Sequence, residues 1–488
     1  MSAPSPSGPI QADSHPSPPP TSTLDWDGNN DPANPRNFSL TRRVLSIAAV
    51  SFLAFVSTLA ASIYSPAIPD IVRTFNVCEE VAILPLSLYN IGMAFGPLIG
   101  APLSETAGRK VVFLVTTPVF ALFVLGAGFS GSIGSLILCR FFAGVFAAPA
   151  ISNASATIVD HTIGRARGVS LAIYYAIPTC GAVLAPLVGG FVVLGKGWRW
   201  TQWVTLFFVV AFYVPVVCTK ESYKKTILQR RAKGMGLSSA SSPSKAAVWA
   251  NARHFATTLL VRPAHMLFTE PIVTLVCMYS GFIFGLIYTF VVASPWVYEH
   301  YYGFSLAGQA LSFLGLIIGT GIAPLPLITM DLLIYQPRLS RFRATHGDHQ
   351  QFPPENRLLP AMLGSLLLPA SLFAFAWTAR SNIHWICPIV FQALTAMSSN
   401  MIYAPTNMFM LDCYGPLYGA SASGATMLSR YTLSAAFPLF SLRMYKALGV
   451  GWASSVLAFA ALGMAPVPWL FWRFGMKLRE RGRYEKSH

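Results

Sequence analysis

The chain has 488 residues, 54% hydrophobic and only 11% charged, with a mean hydropathy of +0.53. Its 34 Lys and Arg against 18 Asp and Glu give a net charge of +16, a balance that can indicate a nucleic-acid partner, but a chain this apolar excludes that reading. It also excludes a soluble enzyme core, because the apolar residues fall into twelve long runs.

Residues 1–43 form an N-terminal tail. The first 35 are rich in Pro, Ser, Asp and Asn with little to bury, and are expected to be disordered. The first apolar run starts near residue 44 behind this polar stretch, unlike a cleavable signal peptide. The spans run about 44–64, 81–101, 110–129, 134–157, 168–194, 201–219, 271–295, 306–334, 358–379, 383–411, 420–442 and 450–473. About 20 apolar residues cross the hydrocarbon core, and lipid offers no partner to backbone amides, so each span must be a helix. The predicted fold is an all-α membrane protein with twelve transmembrane helices in two six-helix halves, 44–219 and 271–473. A central loop, 220–270, joins them, and residues 474–488 form a C-terminal tail.

Charge sorts the loops. Of the 34 Lys and Arg, 26 fall in the tails, the central loop and the loops on their side, and six on the opposite face: Arg73, Lys196, Arg199, Arg380, Arg443 and Lys446. Arg140 and Arg430 lie inside spans. The positive-inside rule places both termini in the cytoplasm. The central loop begins basic, with Lys224, Lys225, Arg230, Arg231 and Lys233, then turns Ser-rich. Its start suits an amphipathic helix on an anionic leaflet, and its Ser-rich part a solvated linker. The sequon at Asn37 is cytoplasmic in this topology and that at Asn153 lies in span four, so neither is expected to carry glycan. The seven Cys are scattered without metal-ligand spacing, and neither a metal nor a cofactor is expected.

Three stretches carry chemistry. Between spans two and three stands Ala101-Pro-Leu-Ser-Glu-Thr-Ala-Gly-Arg-Lys110. Glu105, Arg109 and Lys110 around a turn at Gly108 can latch neighbouring helix ends, a conformational gate rather than a substrate site. Span four carries Arg140. A cation there costs roughly 2.5–3.5 kcal/mol or more unless it faces the protein interior or water, and snorkelling to the outer end is the alternative. Span five carries Gly181-Ala-Val-Leu-Ala-Pro-Leu-Val-Gly-Gly190, where Pro186 removes a backbone bond and Gly181, Gly189 and Gly190 allow close helix approach. Arg430 lies deeper in its span than Arg140 does.

These stretches resemble motifs of the major facilitator superfamily. The first resembles the loop G-x-L-a-D-r-x-G-r-k, with Ala101 and Glu105 in place of Gly and Asp. Arg140-Phe-Phe-Ala-Gly144 resembles the span-four motif whose Arg is implicated in proton coupling. Residues 181–190 resemble the antiporter motif G-x-x-x-G-P-x-x-G-G, with Ala185 in place of Gly. Trp198-Arg-Trp200, Glu221-Ser-Tyr223 and Glu270-Pro-Ile272 are similar to W-R-W, P-E-T-Y and E-P-I of the fungal twelve-span drug:proton antiporter branch, with Lys220 and Ser222 departing from it. The resemblance covers roughly residues 38–480 and implies a monomeric carrier, not an enzyme, working by alternating access in the plasma membrane.

Proton coupling usually wants a buried carboxylate. None of the 18 acids falls at mid-membrane. Asp70 lies beyond the outer end of span one, and Asp160 and Asp412 near cytoplasmic ends, so these three and Arg140 are the coupling candidates. A cavity with arginines and no acid disfavours polycations and suits neutral, amphipathic or weakly anionic molecules. Polar groups near span centres that can line it are Asn90, Tyr174, Tyr288, Asn400, Tyr403, Asn407 and Arg430, with Tyr89 and Tyr175; helix–helix hydrogen bonding is the equal alternative for each. The expected function is proton-coupled export of small lipophilic organic compounds such as drugs, toxins or secondary metabolites. The alternative is an importer or facilitator of small organic molecules or organic acids on the same fold. The expected partners are a small-molecule substrate, protons and the lipid bilayer.

Overall fold

The computed structural model describes residues 25–28, 30–234, 261–347 and 352–481, and among these residues the secondary structure is helical throughout, with no strand. Ten stretches are long and apolar enough to cross a membrane, from Leu40–Phe75 to Ser421–Glu480. The last, 60 residues long, turns at Gly449 (φ 73°, ψ 165°), a backbone shape open to glycine, and so supplies two spans. Glu79–Ala107, a helix of 29 residues, is a further one. The described chain thus carries the twelve spans read from the sequence. An even number returns the chain to its starting side, so the start of span one and the end of span twelve share one face, here the terminus face, opposite the far face.

Most helices overrun their spans. Span five occupies Gly164–Lys196 and span seven Pro271–Tyr302. Hydropathy falls at the edge of the hydrocarbon, but backbone hydrogen bonding continues past it. Span eight is not one straight helix. It runs as Leu306–Ser312, Leu314–Ile322 and Pro324–Met330, then a π-helical turn at Asp331–Tyr335 and a last helix Gln336–His346. Pro324, which has no N–H to give and occupies a first helical position, marks one of the breaks.

The tail departs from expectation. Residues 25–35 were expected to be disordered, yet where described they are folded onto the helix Lys224–Gly234 at the start of the central loop. Asp31 takes both terminal nitrogens of Arg231, at 2.9 and 3.1 Å, and Asp25 pairs with Lys224 at 2.6 Å. The tail lacks apolar residues to bury, but its acids find cations there. Residues 1–24 and the Ser-rich part of the central loop lie outside the described residues.

Lipid gives helices no hydrophobic reason to associate, so close contact must come from small residues. Gly144 of span four abuts span two, where a Cβ would stand 2.0 Å from the Tyr89 carbonyl oxygen. Gly181 and Gly189 press span five onto span one in the same way, at 2.5 Å from the Phe55 oxygen and 2.4 Å from that of Ile63. Gly190 faces Ala310 of span eight across the two halves. Pro186 is buried within a helix that continues through it, and the Ala185 methyl packs beside Leu59 and Ile63. Span seven is the most enclosed, with 89% of its apolar window buried against 28% for span six. Span seven therefore borders the other half, and span six faces lipid.

Candidate functional site

Between the halves lies a cavity of about 570 Å³, counting space open to solvent. Thr58, Ile151, Tyr174 and Tyr175 line it from the first half, and Phe284, Tyr403, Asn407, Met427 and Arg430 from the second. Among the described residues no carboxylate reaches its wall.

Arg430 dominates its chemistry. It is 4% exposed. Its guanidinium donates to the hydroxyls of Tyr403 and Tyr431, the second at 2.8 Å. The rings of Phe284, Tyr431 and Tyr403 stand 4.6, 4.5 and 5.4 Å from its central carbon. Its Nε has no hydrogen-bond partner. Ring faces and phenol oxygens attract a cation but do not neutralise it, so the cage presents a buried positive charge to the cavity. Tyr431, next to Arg430 in sequence, and Phe284 were not singled out from the sequence; only packing brings them to this guanidinium.

The structure divides the remaining cavity candidates. Tyr174 is on the wall with its hydroxyl given to the Ile151 carbonyl at 2.5 Å, and Asn407 is on the wall with its amide bonded back to Tyr403 O at 2.8 Å. Asn400 is buried off the wall and bonds back to Ala396 O at 2.9 Å. Asn90 and Tyr288 are also buried off the wall. The Tyr288 hydroxyl is turned towards Ser62 and Asn90, but no hydrogen bond of ordinary geometry closes on the Ser62 hydroxyl or the Asn90 amide.

Arg140 does not snorkel. It is wholly buried and donates to the carbonyls of Ala60 and Ala61, at 2.7 and 2.9 Å, where the span-one helix ends at Ser62 and leaves carbonyls unpaired. The Tyr64 and Tyr89 rings flank it at 5.3 and 4.6 Å.

At the terminus face the loop between spans two and three forms a clasp, with a different acid from the one expected. Glu105 is exposed. The carboxylate at the start of span three belongs to Glu221, which accepts from the backbone N–H groups of Arg109, Lys110, Ser222 and Tyr223 at 2.9–3.1 Å. This is an acid on the positive end of a helix. Gly108, at φ 104°, lets it approach: a Cβ there would stand 2.4 Å from Glu221 Oε2. Arg109 also pairs with Asp160 at 3.5 Å, and Lys110 reaches the Val217 carbonyl at 2.8 Å. Asn153 donates to the Arg109 carbonyl at 2.7 Å. These groups come from the first half and from the first residues of the central loop, so the clasp ties the start of that loop to the inner ends of the first half.

The second half repeats the plan. Arg357, before span nine, bonds Asp412 at the end of span ten, as Arg109 pairs with Asp160 at the end of span four. Arg479, beyond span twelve, pairs with Glu355 before span nine at 2.8 Å, matching Glu221 in place though with the signs exchanged. Asp70 stands apart, half-buried in the short helix Ile68–Phe75 at the far face.

Two ion pairs join the halves at that far face: Glu80 with Arg443 at 2.7 Å and Glu79 with Lys446 at 2.6 Å. Ser65 adds a hydrogen bond to the Val291 carbonyl at 2.8 Å. These contacts hold the two halves together at the far face.

Comparison with known proteins agrees with this architecture. The sequence profile of the Major Facilitator Superfamily matches residues 50–438. The chain is 34% identical over 485 residues to polyamine transporter 4 of Saccharomyces cerevisiae, covering 94% of this chain and 73% of that one. It is 36% identical over 446 residues to efflux pump FUBT of Fusarium oxysporum, covering 89% and 73%. Its fold is similar to that of the proton:xylose symporter XylE, with a TM-score of 0.65 at 15% identity, over 90% of this chain and 96% of that one.

Proposed function

The chain belongs to the major facilitator superfamily and is a membrane transporter, not an enzyme, and from that premise we propose that it is a proton-coupled exporter of small lipophilic organic compounds. The observation that carries this reading is the central cavity, where aromatic and apolar side chains, with the short polar ones of Thr58, Ser155, Thr179, Asn407, Ser423 and Thr426 among them, surround one caged cation. Such a wall favours amphipathic molecules oriented by a few polar contacts.

In this reading the terminus face is cytoplasmic and the ion pairs at Glu79 and Glu80 hold the outward gate shut, so the cavity loads from inside. Alternating access then opens that gate while the inner ends close. Export is favoured by the span-five motif, whose Gly181 and Gly189 let span five lie on span one, and by the relative named as an efflux pump. The relative named as a polyamine transporter points to another cargo. A polyamine needs carboxylates to replace its hydration, and the wall of this cavity offers a guanidinium instead.

The proton sites belong to the same proposal. Asp160 and Asp412, each clasped to an arginine at the terminus face, exchange partners as the halves rock, Asp70 serves at the far face, and Arg140 holds the end of span one. Transport into everted vesicles tests the whole. Accumulation of lipophilic test compounds only when the vesicle interior is acid supports export, whereas accumulation only in right-side-out vesicles would establish the importer.

A further inference from the structure

We propose that the central cavity recognises its cargo as an organic monoanion, with a carboxylate or an equivalent acidic group docked on Arg430 and the hydroxyls of Tyr403 and Tyr431. This rests on the reading of that cavity as the substrate site and names the class of molecule it takes.

Three observations carry the proposal. Arg430 is nearly inaccessible, yet it lines the cavity, and its Nε–H has no hydrogen-bond partner. Its other contacts are to neutral phenols and ring faces. Finally, among the described residues no acid lines the cavity to neutralise it. A guanidinium removed from water gains most from a planar two-oxygen anion, which matches its fork geometry. The two phenols are suited to assist. Each accepts from Arg430 through its oxygen, so its own proton remains free to be donated to the anion. Donors from the arginine and both tyrosines can then converge on one acidic group, while Ile151, Pro178, Phe284 and Met427 take the apolar body.

A neutral cargo would gain nothing from a charge buried at such cost, and a cationic one would be repelled. The acid-free wall and the caged arginine therefore point to the same class.

The test is equilibrium binding to the purified full-length protein in detergent, with matched sets of probes that differ only in their head group. One set is 2-naphthoate, 2-naphthamide and 2-naphthylmethylammonium; a second uses a biphenyl body and a third an alkylphenyl body. The acid is expected to bind at least about tenfold more tightly than its amide in at least one set, from paired charge-assisted hydrogen bonds. Arg430→Gln is expected to bring the acid to the level of the amide and leave the amide unchanged, and Arg430→Lys to recover part of the difference, since a point charge lacks the fork. Should Arg430→Gln fail to give a monodisperse protein, Tyr403→Phe combined with Tyr431→Phe keeps the rings and removes the hydroxyls, and must also reduce the acid preference. The proposal is overturned if the amine binds as tightly as the acid, if the acid preference survives in either variant, or if no acid binds below about 1 mM, the weak end of specific recognition. Binding in detergent needs neither a proton gradient nor a direction, so export can fail in vesicles while this inference stands, and the reverse.

Discussion

Glu80 at the start of span two and Arg443 at the end of span eleven lie 2.7 Å apart, an ion pair that bridges the two halves across 363 positions of the chain. With Glu79 and Lys446 beside it, it forms a charged fastening at the far face. Both pairs are partly exposed. Each is therefore a weak fastening, enough to bias an equilibrium between two states but not to lock it.

Exchanging both cations for Glu (Arg443→Glu with Lys446→Glu) should therefore shift the population towards the state open at the far face by roughly a few-fold. Labelling of a cysteine placed at Ser65 by an impermeant thiol reagent reads this directly. Unchanged labelling would show that the fastening does not gate the cavity.

Gly108→Ala should destabilise the first half, because it forces a side chain into φ 104° and towards the Glu221 carboxylate. Left-handed strain costs roughly 1–3 kcal/mol before the clash is counted. Gly131→Ala, with open space around it, is the control and should leave the melting temperature unchanged. Glu221→Gln, which keeps the shape but loses the charge, should cost about 1–2 kcal/mol and show in the same thermal unfolding assay. Glu105→Gln should do almost nothing.

Gly189→Ala should loosen span five from span one, since the added methyl would meet the Ile63 carbonyl at 2.4 Å and a backbone oxygen cannot turn away. Overpacking of this kind costs about 1–3 kcal/mol. Gly195→Ala in the same helix has nothing within 4 Å and should be silent. Thermal stability of the two purified variants decides between them.

The folded tail should respond to pH in one direction. The Arg231 guanidinium, with the Ala33 and Asp27 N–H groups, holds the Asp31 carboxyl down to about 2 from its usual 3.8. A carboxyl depressed in the docked state contributes fully above its ordinary value and loses that contribution as it protonates. Docking should accordingly persist from pH 7 to about 4 and weaken as pH falls from there towards 2. Hydrogen exchange over residues 26–38 follows it, and Asp31→Asn should give the weakened state at neutral pH.

The candidate site was legible in part. Arg430 and Tyr403 were found from the sequence because ionisable and polar residues stand out in an apolar span. Asn90 and Tyr288 stood out equally, yet helix rotation turns them away from the cavity wall. The clasp was recognised from the loop between spans two and three, but its acid was not. Glu105 lies within the motif, whereas Glu221 reaches Arg109 from 112 positions away.

The sequence alone determined the twelve spans, the even count that brings both ends of the bundle to one face, and the presence of deep arginines without a mid-membrane acid. Each of these follows from the solvent: hydrocarbon tolerates only internally bonded apolar helices and sorts charge by local composition. Tertiary structure alone decided that Arg430 sits in a cage of phenols, that Glu221 closes the clasp, and that Glu79 and Glu80 fasten the far face. Those pairings depend on how helices rotate and pack where small residues let them touch, and hydropathy along the chain carries no record of which faces meet.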